Sequence, residues 1–136
     1  ARSAAQLPEP VRLALVARLE KLNTDLRTAW QSRPHSLREA QDLHVEFHRA
    51  IDEAVPGRRL SAELRALQPQ VERYERVYTS ALLTDFSDAL KEHEDMIENI
   101  RRGDADAAER ATVENWRRGS DRYVRVVQDL GERGSW

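Results

Sequence analysis

The spacing of apolar residues limits what this chain can fold into more than any other feature. They return every three or four positions from end to end, and nowhere alternate with polar residues over the length of a strand. That period is the repeat of one face of an α-helix. Val11, Leu15, Leu19, Leu22, Leu26 and Trp30 follow it after Pro8 and Pro10, so a helix is predicted over about 9–31. Pro34 stops it in the loop SRPH. Ser36, with Glu39 three residues on, then has the pattern of a capping box. A second helix is predicted over about 37–55 through Leu37, Ala40, Leu43, Phe47 and Ile51, broken by Pro56-Gly57. A third follows over about 59–82 through Leu60, Leu64, Leu67, Val71, Tyr74 and Tyr78. The fourth, about 85–102, carries Phe86, Ala89, Leu90, Met96, Ile97 and Ile100 and closes at Gly103. Asp104 caps the last, which runs to about Leu130 through Ala108, Ala111, Trp116, Tyr123 and Val127. Connections this short turn each helix back on its neighbour. The expected fold is an all-α antiparallel bundle of about five to six helices in one domain spanning 1–136, with about 9–130 structured and the tail GERGSW frayed.

Composition narrows the functions open to such a bundle. With 136 residues, 40% hydrophobic, the chain has enough apolar surface to bury a core. Its net charge of -2 provides no bulk attraction to phosphate, so its average surface does not grip nucleic acid. It has no cysteine, which leaves His, Asp, Glu and Asn as metal donors. No apolar run nears the roughly 18 residues of a membrane span, and residues 1–30 lack the pattern of a signal peptide. A cytoplasmic location without membrane contact is expected.

Four histidines are present, and their positions are uneven. His44 and His48 lie one turn apart, on a face bordering Phe47 and Ile51. His93 falls inside the apolar stripe of the fourth helix, between Ala89 and Leu90 on one side and Met96 and Ile97 on the other. A buried ring without a partner costs roughly 1–3 kcal/mol, so a bond must satisfy it. Asn115 holds a comparable inward position on the last helix. Two readings stand side by side. Inward imidazoles and an oxygen donor from facing helices suit a divalent metal such as zinc or nickel; on spacing alone, a single inward His is more often a hydrogen-bonded core residue. His35, beside Pro34, is expected in solvent, and Glu92, Glu94 and Asp95 are expected on a solvated helix face.

From FHRAI at 47–51, through EHEDMIENIRRGDADAAERA at 92–111, to the polar residue at 115, the chain resembles the FCD ligand-binding domain of GntR-family transcription regulators, the FadR subfamily. The resemblance covers about 10–127 and rests on the FH and EHE...GD...A motifs together. It implies a metal held by His48, His93, position 115 and position 44. Two of these depart from the family pattern: Asn115 stands where a His is usual, and His44 where an Asp is usual. The exchange keeps three imidazoles but removes the anionic donor, which favours an anionic small molecule as a further ligand. The resemblance also implies a small carboxylate effector in the bundle interior and a homodimer. By that resemblance DNA would be contacted only through an N-terminal winged helix-turn-helix, which is expected to be absent from these 136 residues, whether as an excised effector domain or as a natural remnant. Gln70 and Tyr74, within the third stripe, are candidates to orient the effector or else ordinary core-edge residues. The ion would anchor a ligand rather than catalyse, so no enzyme is expected. Two rival functions remain: a metal-dependent hydrolase or oxygenase, for which Glu46 and Glu94 point the wrong way to serve as a base, and a ligand-free dimerisation module.

Overall fold

The computed structural model describes residues 1–32, 37–55, 57, 62–63, 66–67, 69–70 and 86–132. Among them it has five helices and no strand, an all-α fold. They are α1 (Arg2–Ala5), α2 (Glu9–Gln31), α3 (Leu37–Glu53), α4 (Ser87–Arg102) and α5 (Ala105–Glu132). The predicted third helix falls almost wholly outside the described residues; positions 62–63, 66–67 and 69–70 are helical. Ser36 and the tail from 133 also lie outside them. The short α1 was not expected, because four residues carry too little periodicity to register.

Helix α2 is the central rod, packed against α3 on one side and α4 on the other, while α4 in turn packs on α5. Its stripe Leu15, Val16, Leu19, Leu26 and Ala29 is buried. Leu15, Val16 and Leu19 meet Phe47, Ala50 and Ile51 of α3 and Met96, Ile97 and Ile100 of α4, with Ala108 of α5 closing the layer. A second cluster joins Leu26 and Ala29 to Ala40, Phe86, Ala89 and Leu90. Burying one such Leu, Ile or Phe contributes about 1.5–3 kcal/mol, which makes these clusters the source of helix pairing. Surface ion pairs set register more than stability: Arg18 bridges α2 to Glu46 of α3 at 2.6 Å, and Arg101 of α4 reaches back to Glu20 at 2.5 Å.

The α4–α5 corner forms as its sequence predicts. Gly103 takes the left-handed conformation at φ 71°, and the Asp104 carboxylate accepts a bond from the Ala107 amide at 2.9 Å. Expected interior positions were not all filled. Val11 and Trp116 are 51% and 53% exposed, because each lies toward the edge of its stripe where no described helix covers it. Leu67 is exposed as well.

Candidate metal centre

Two adjacent turns of α3 and one of α4 build the site. The α3 register that buries Phe47 carries His44 and His48 toward α4, and the α4 stripe carries His93 to meet them. The ring centroid of His44 lies 4.8 Å from that of His48 and 5.0 Å from that of His93, and His48 and His93 are 5.2 Å apart. One nitrogen from each ring lies within 4.8 Å of the others. The rings converge rather than splay into solvent. Phe47 stacks on His93 with centroids 3.7 Å apart and planes 6° from parallel, so His93 cannot swing away from the cluster without losing that contact.

His93 is fully buried, and its two nitrogens have different surroundings. Nδ1 lies 3.0 Å from Oδ1 of Asn23, a buried residue of α2 whose amide nitrogen donates to the Leu90 carbonyl at 3.3 Å. That second bond requires the Asn23 nitrogen to face Leu90, so its oxygen faces the imidazole and Nδ1 carries the proton. Nε2 is left with a lone pair and no protein partner, as is the buried Nδ1 of His44. Burial, and secondarily the Arg122 charge, brings the His44 pKa down to about 4. Burial also holds His48 and His93 well below the usual imidazole range, assisted at His48 by His44 and at His93 by His44, His48 and Arg122. All three rings are neutral at pH 7, the state in which imidazole binds a metal.

The remaining expectations divide. Asn115 is buried on α5, and its Nδ2 donates to Oε2 of Glu92 at 2.7 Å. Its carbonyl oxygen, the atom a cation would take, stays out of that bond. The expectation for Glu92 has to be corrected: it is only 6% exposed, buried at the α4–α5 seam, because Asn115 compensates its desolvation and Arg118 and Arg122 lie 3.5 Å away. Glu94 does face outward and pairs with Arg27, and Asp95 is exposed. Glu46 points toward Arg18 and Arg49. Gln70 is exposed rather than turned inward, where its amide is hydrated. Tyr74 and His35 lie outside the described residues.

Asn23 escaped the sequence reading although its signal was present: it interrupts the stripe between Leu19 and Leu26 just as His93 interrupts its own. Arg118 and Arg122 had no such signal, since a polar residue on a helix flank looks solvated until a neighbour covers it. A separate shallow groove of about 510 Å³, lined by Asp106, Glu109, Arg110, Val113 and Glu114, shares no residue with the histidine cluster.

An all-α bundle with convergent inward imidazoles is the class that fold and site define. The sequence model of the FCD domain family matches residues 1–118, and the chain belongs to that family. FCD domains are the effector-binding domains of GntR-type transcription regulators. No curated protein and no solved structure matches the chain. Among the described residues no helix is long and apolar enough to cross a membrane.

Proposed function

We propose that the chain senses a small carboxylate metabolite through a divalent metal held by His44, His48 and His93, with the Asn115 carbonyl oxygen as fourth protein donor. One observation carries the reading. Nε2 of His93 is buried without a partner, in a ring whose other nitrogen is already satisfied by Asn23. A core histidine kept only for packing has no reason to leave a buried acceptor unpaired, at a cost of about 1–3 kcal/mol. The donor set fits such an ion: neutral imidazoles on one neutral oxygen suit zinc or nickel, and hard oxygen-seeking cations poorly. A tetrahedral ion with bonds of roughly 2.0–2.1 Å holds its nitrogens about 3.4 Å apart. The His44 and His48 rings, less buried than His93, would draw inward by the difference of an ångström or so on binding it.

When bound, the ion supplies positive charge and open coordination positions for a carboxylate. The chain does the rest. Asn23 fixes the His93 tautomer, Phe47 its ring plane, and Glu92 the orientation of the Asn115 amide. Because the donors come from α3, α4 and α5, occupancy would tie α3 to the α4–α5 pair, which the Glu92–Asn115 bond already joins. It shifts the bundle between arrangements by its differential affinity for each. In a cytoplasmic homodimer that shift would reach DNA through an attached winged-helix domain. Among the described residues the buried carboxylate beside the cluster, Glu92, is occupied by Asn115 and faced by two guanidiniums, which leaves it poorly placed as a general base.

Elemental analysis of protein purified without an affinity tag or added metal salts tests the site. Near-stoichiometric zinc or nickel is expected, and its loss in His93→Ala with the far-ultraviolet circular dichroism preserved. Equal metal content in His93→Ala and the parent would overturn the assignment.

A further inference from the structure

The metal reading leaves a polar network at the edge of the histidine cluster without a role. Glu92 receives one short bond, from Asn115 at 2.7 Å, while Arg118 Nη1 and both terminal nitrogens of Arg122 stop 3.5 Å from its oxygens. A closed arginine–carboxylate fork has contacts of roughly 2.7–2.9 Å, so Arg122 straddles Glu92 without closing on it. The two arginines are not equivalent. Arg118 has a second acid, donating from Nε to Glu114 at 2.8 Å, and its side chain is largely in water. Arg122 is only 31% exposed and has Glu92 alone as its acid among the described residues. Its charge is also felt within the cluster, where it helps hold His44 and His93 in the neutral form. The three imidazoles and Asn115 bring no negative charge to offset a divalent ion, so an incoming ligand meets positive charge at two points, the ion and the Arg122 fork.

We propose that Arg122 is the specificity-determining anion anchor of this site, with Glu92 an internal carboxylate that holds its guanidinium loosely until a ligand carboxylate takes its place. The inference rests on the metal-anchored reading above and deepens it by naming a ligand class. A small dicarboxylate has one acid group for the ion and one for Arg122; a monocarboxylate satisfies only the first. Glu92 keeps the guanidinium from standing unpaired while the site is empty, and its long contacts make it easy to displace. It therefore opposes ligand binding although it pairs with the residue that favours it.

That opposition sets the test. The full 136-residue chain, loaded with zinc and its metal content measured, is titrated with succinate and with acetate by calorimetry. Succinate is expected to bind at least ~10-fold more tightly than acetate, an advantage worth one charged hydrogen bond. Arg122→Met lowers succinate affinity by about 10-fold or more and leaves acetate within about 3-fold, whereas Glu92→Gln, which still accepts from Asn115, raises succinate affinity by about 3–10-fold. An ion pair serving only the fold would move both variants in the same direction. Succinate binding unchanged in Arg122→Met, weakened alike in both variants, or absent from the zinc-loaded parent overturns the proposal. Should Glu92→Gln fail to fold, Arg122→Met decides alone. If the parent holds no zinc, the metal reading fails by itself, and the titrations are repeated without metal. Succinate binding that Arg122→Met abolishes then supports the anchor, and no binding by the parent overturns it.

Discussion

Asn23 shows how much of this site depends on a residue that touches no proposed ligand. Its amide is pinned by the Leu90 carbonyl, which turns its oxygen to Nδ1 of His93 and so frees Nε2. Replacing it by Leu keeps the volume and removes the acceptor. Metal affinity is expected to fall by ~10–100-fold, the usual cost of losing a partner behind a ligating histidine. Competition with a chromophoric chelator measures it, and an unchanged constant would show that Phe47 alone orients the ring. The same logic explains why Glu92 is buried. A carboxylate at the edge of an apolar stripe stays inside only when a neighbour donates to it, and Asn115 does so.

At the scale of the elements, the α4–α5 corner sets how Glu92 and Asn115 face each other, because one helix ends and the next begins within two residues. Gly103 holds a φ of 71°, and a Cβ there would meet the Arg12 guanidinium at 3.2 Å and the Ala5 carbonyl at 3.4 Å. Gly103→Ala is expected to cost about 1–2 kcal/mol in urea unfolding, from the strained backbone and the displaced Arg12. Asp104→Ala removes the cap on the Ala107 amide and is expected to cost about 1 kcal/mol. If Gly103→Ala is neutral, the corner is softer than its geometry implies. Helix α3 has a different dependence. It is strongly amphipathic, with Phe47, Ala50 and Ile51 on one side, and its two histidines occupy the margin of that apolar face. The packing that buries Phe47 therefore also delivers the imidazoles.

For the molecule as a whole, the neutral cluster ties stability to pH. The folded-state pKa values of His44, His48 and His93 lie below the unfolded value near 6.5, so between the two the unfolded chain binds more protons than the folded one. Stability therefore falls as pH drops. In chelator, the melting temperature is expected to be level above about pH 7 and to decline from about pH 6.5 toward 4. Differential scanning fluorimetry checks this; a level curve across that range would mean that the rings are hydrated. Zinc at a hundred times its dissociation constant adds about 2.7 kcal/mol at pH 7.5, and that gain should vanish in His93→Ala.

The all-α architecture was legible because helical periodicity is a local property: Leu15, Leu19 and Leu26, like Met96, Ile97 and Ile100, declare a face wherever they end up. The burial of His93 and Asn115 and the shared face of His44 and His48 were legible for the same reason, as polar residues at or beside apolar stripes. A face does not name its partner, however. Trp116 lies half in solvent because no described helix covers it, Glu92 is buried because Asn115 and two arginines arrive from α5, and the Arg122 charge acts on His44 from another helix, a pairing that no spacing rule contains. By itself the sequence determined most of the face that each described helix turns inward, because that follows from a 3.6-residue repeat. Which polar groups meet there, and which of their atoms are left without a bond, was decided only when separate helices packed, since burial and hydrogen bonding belong to neighbours in space rather than in order.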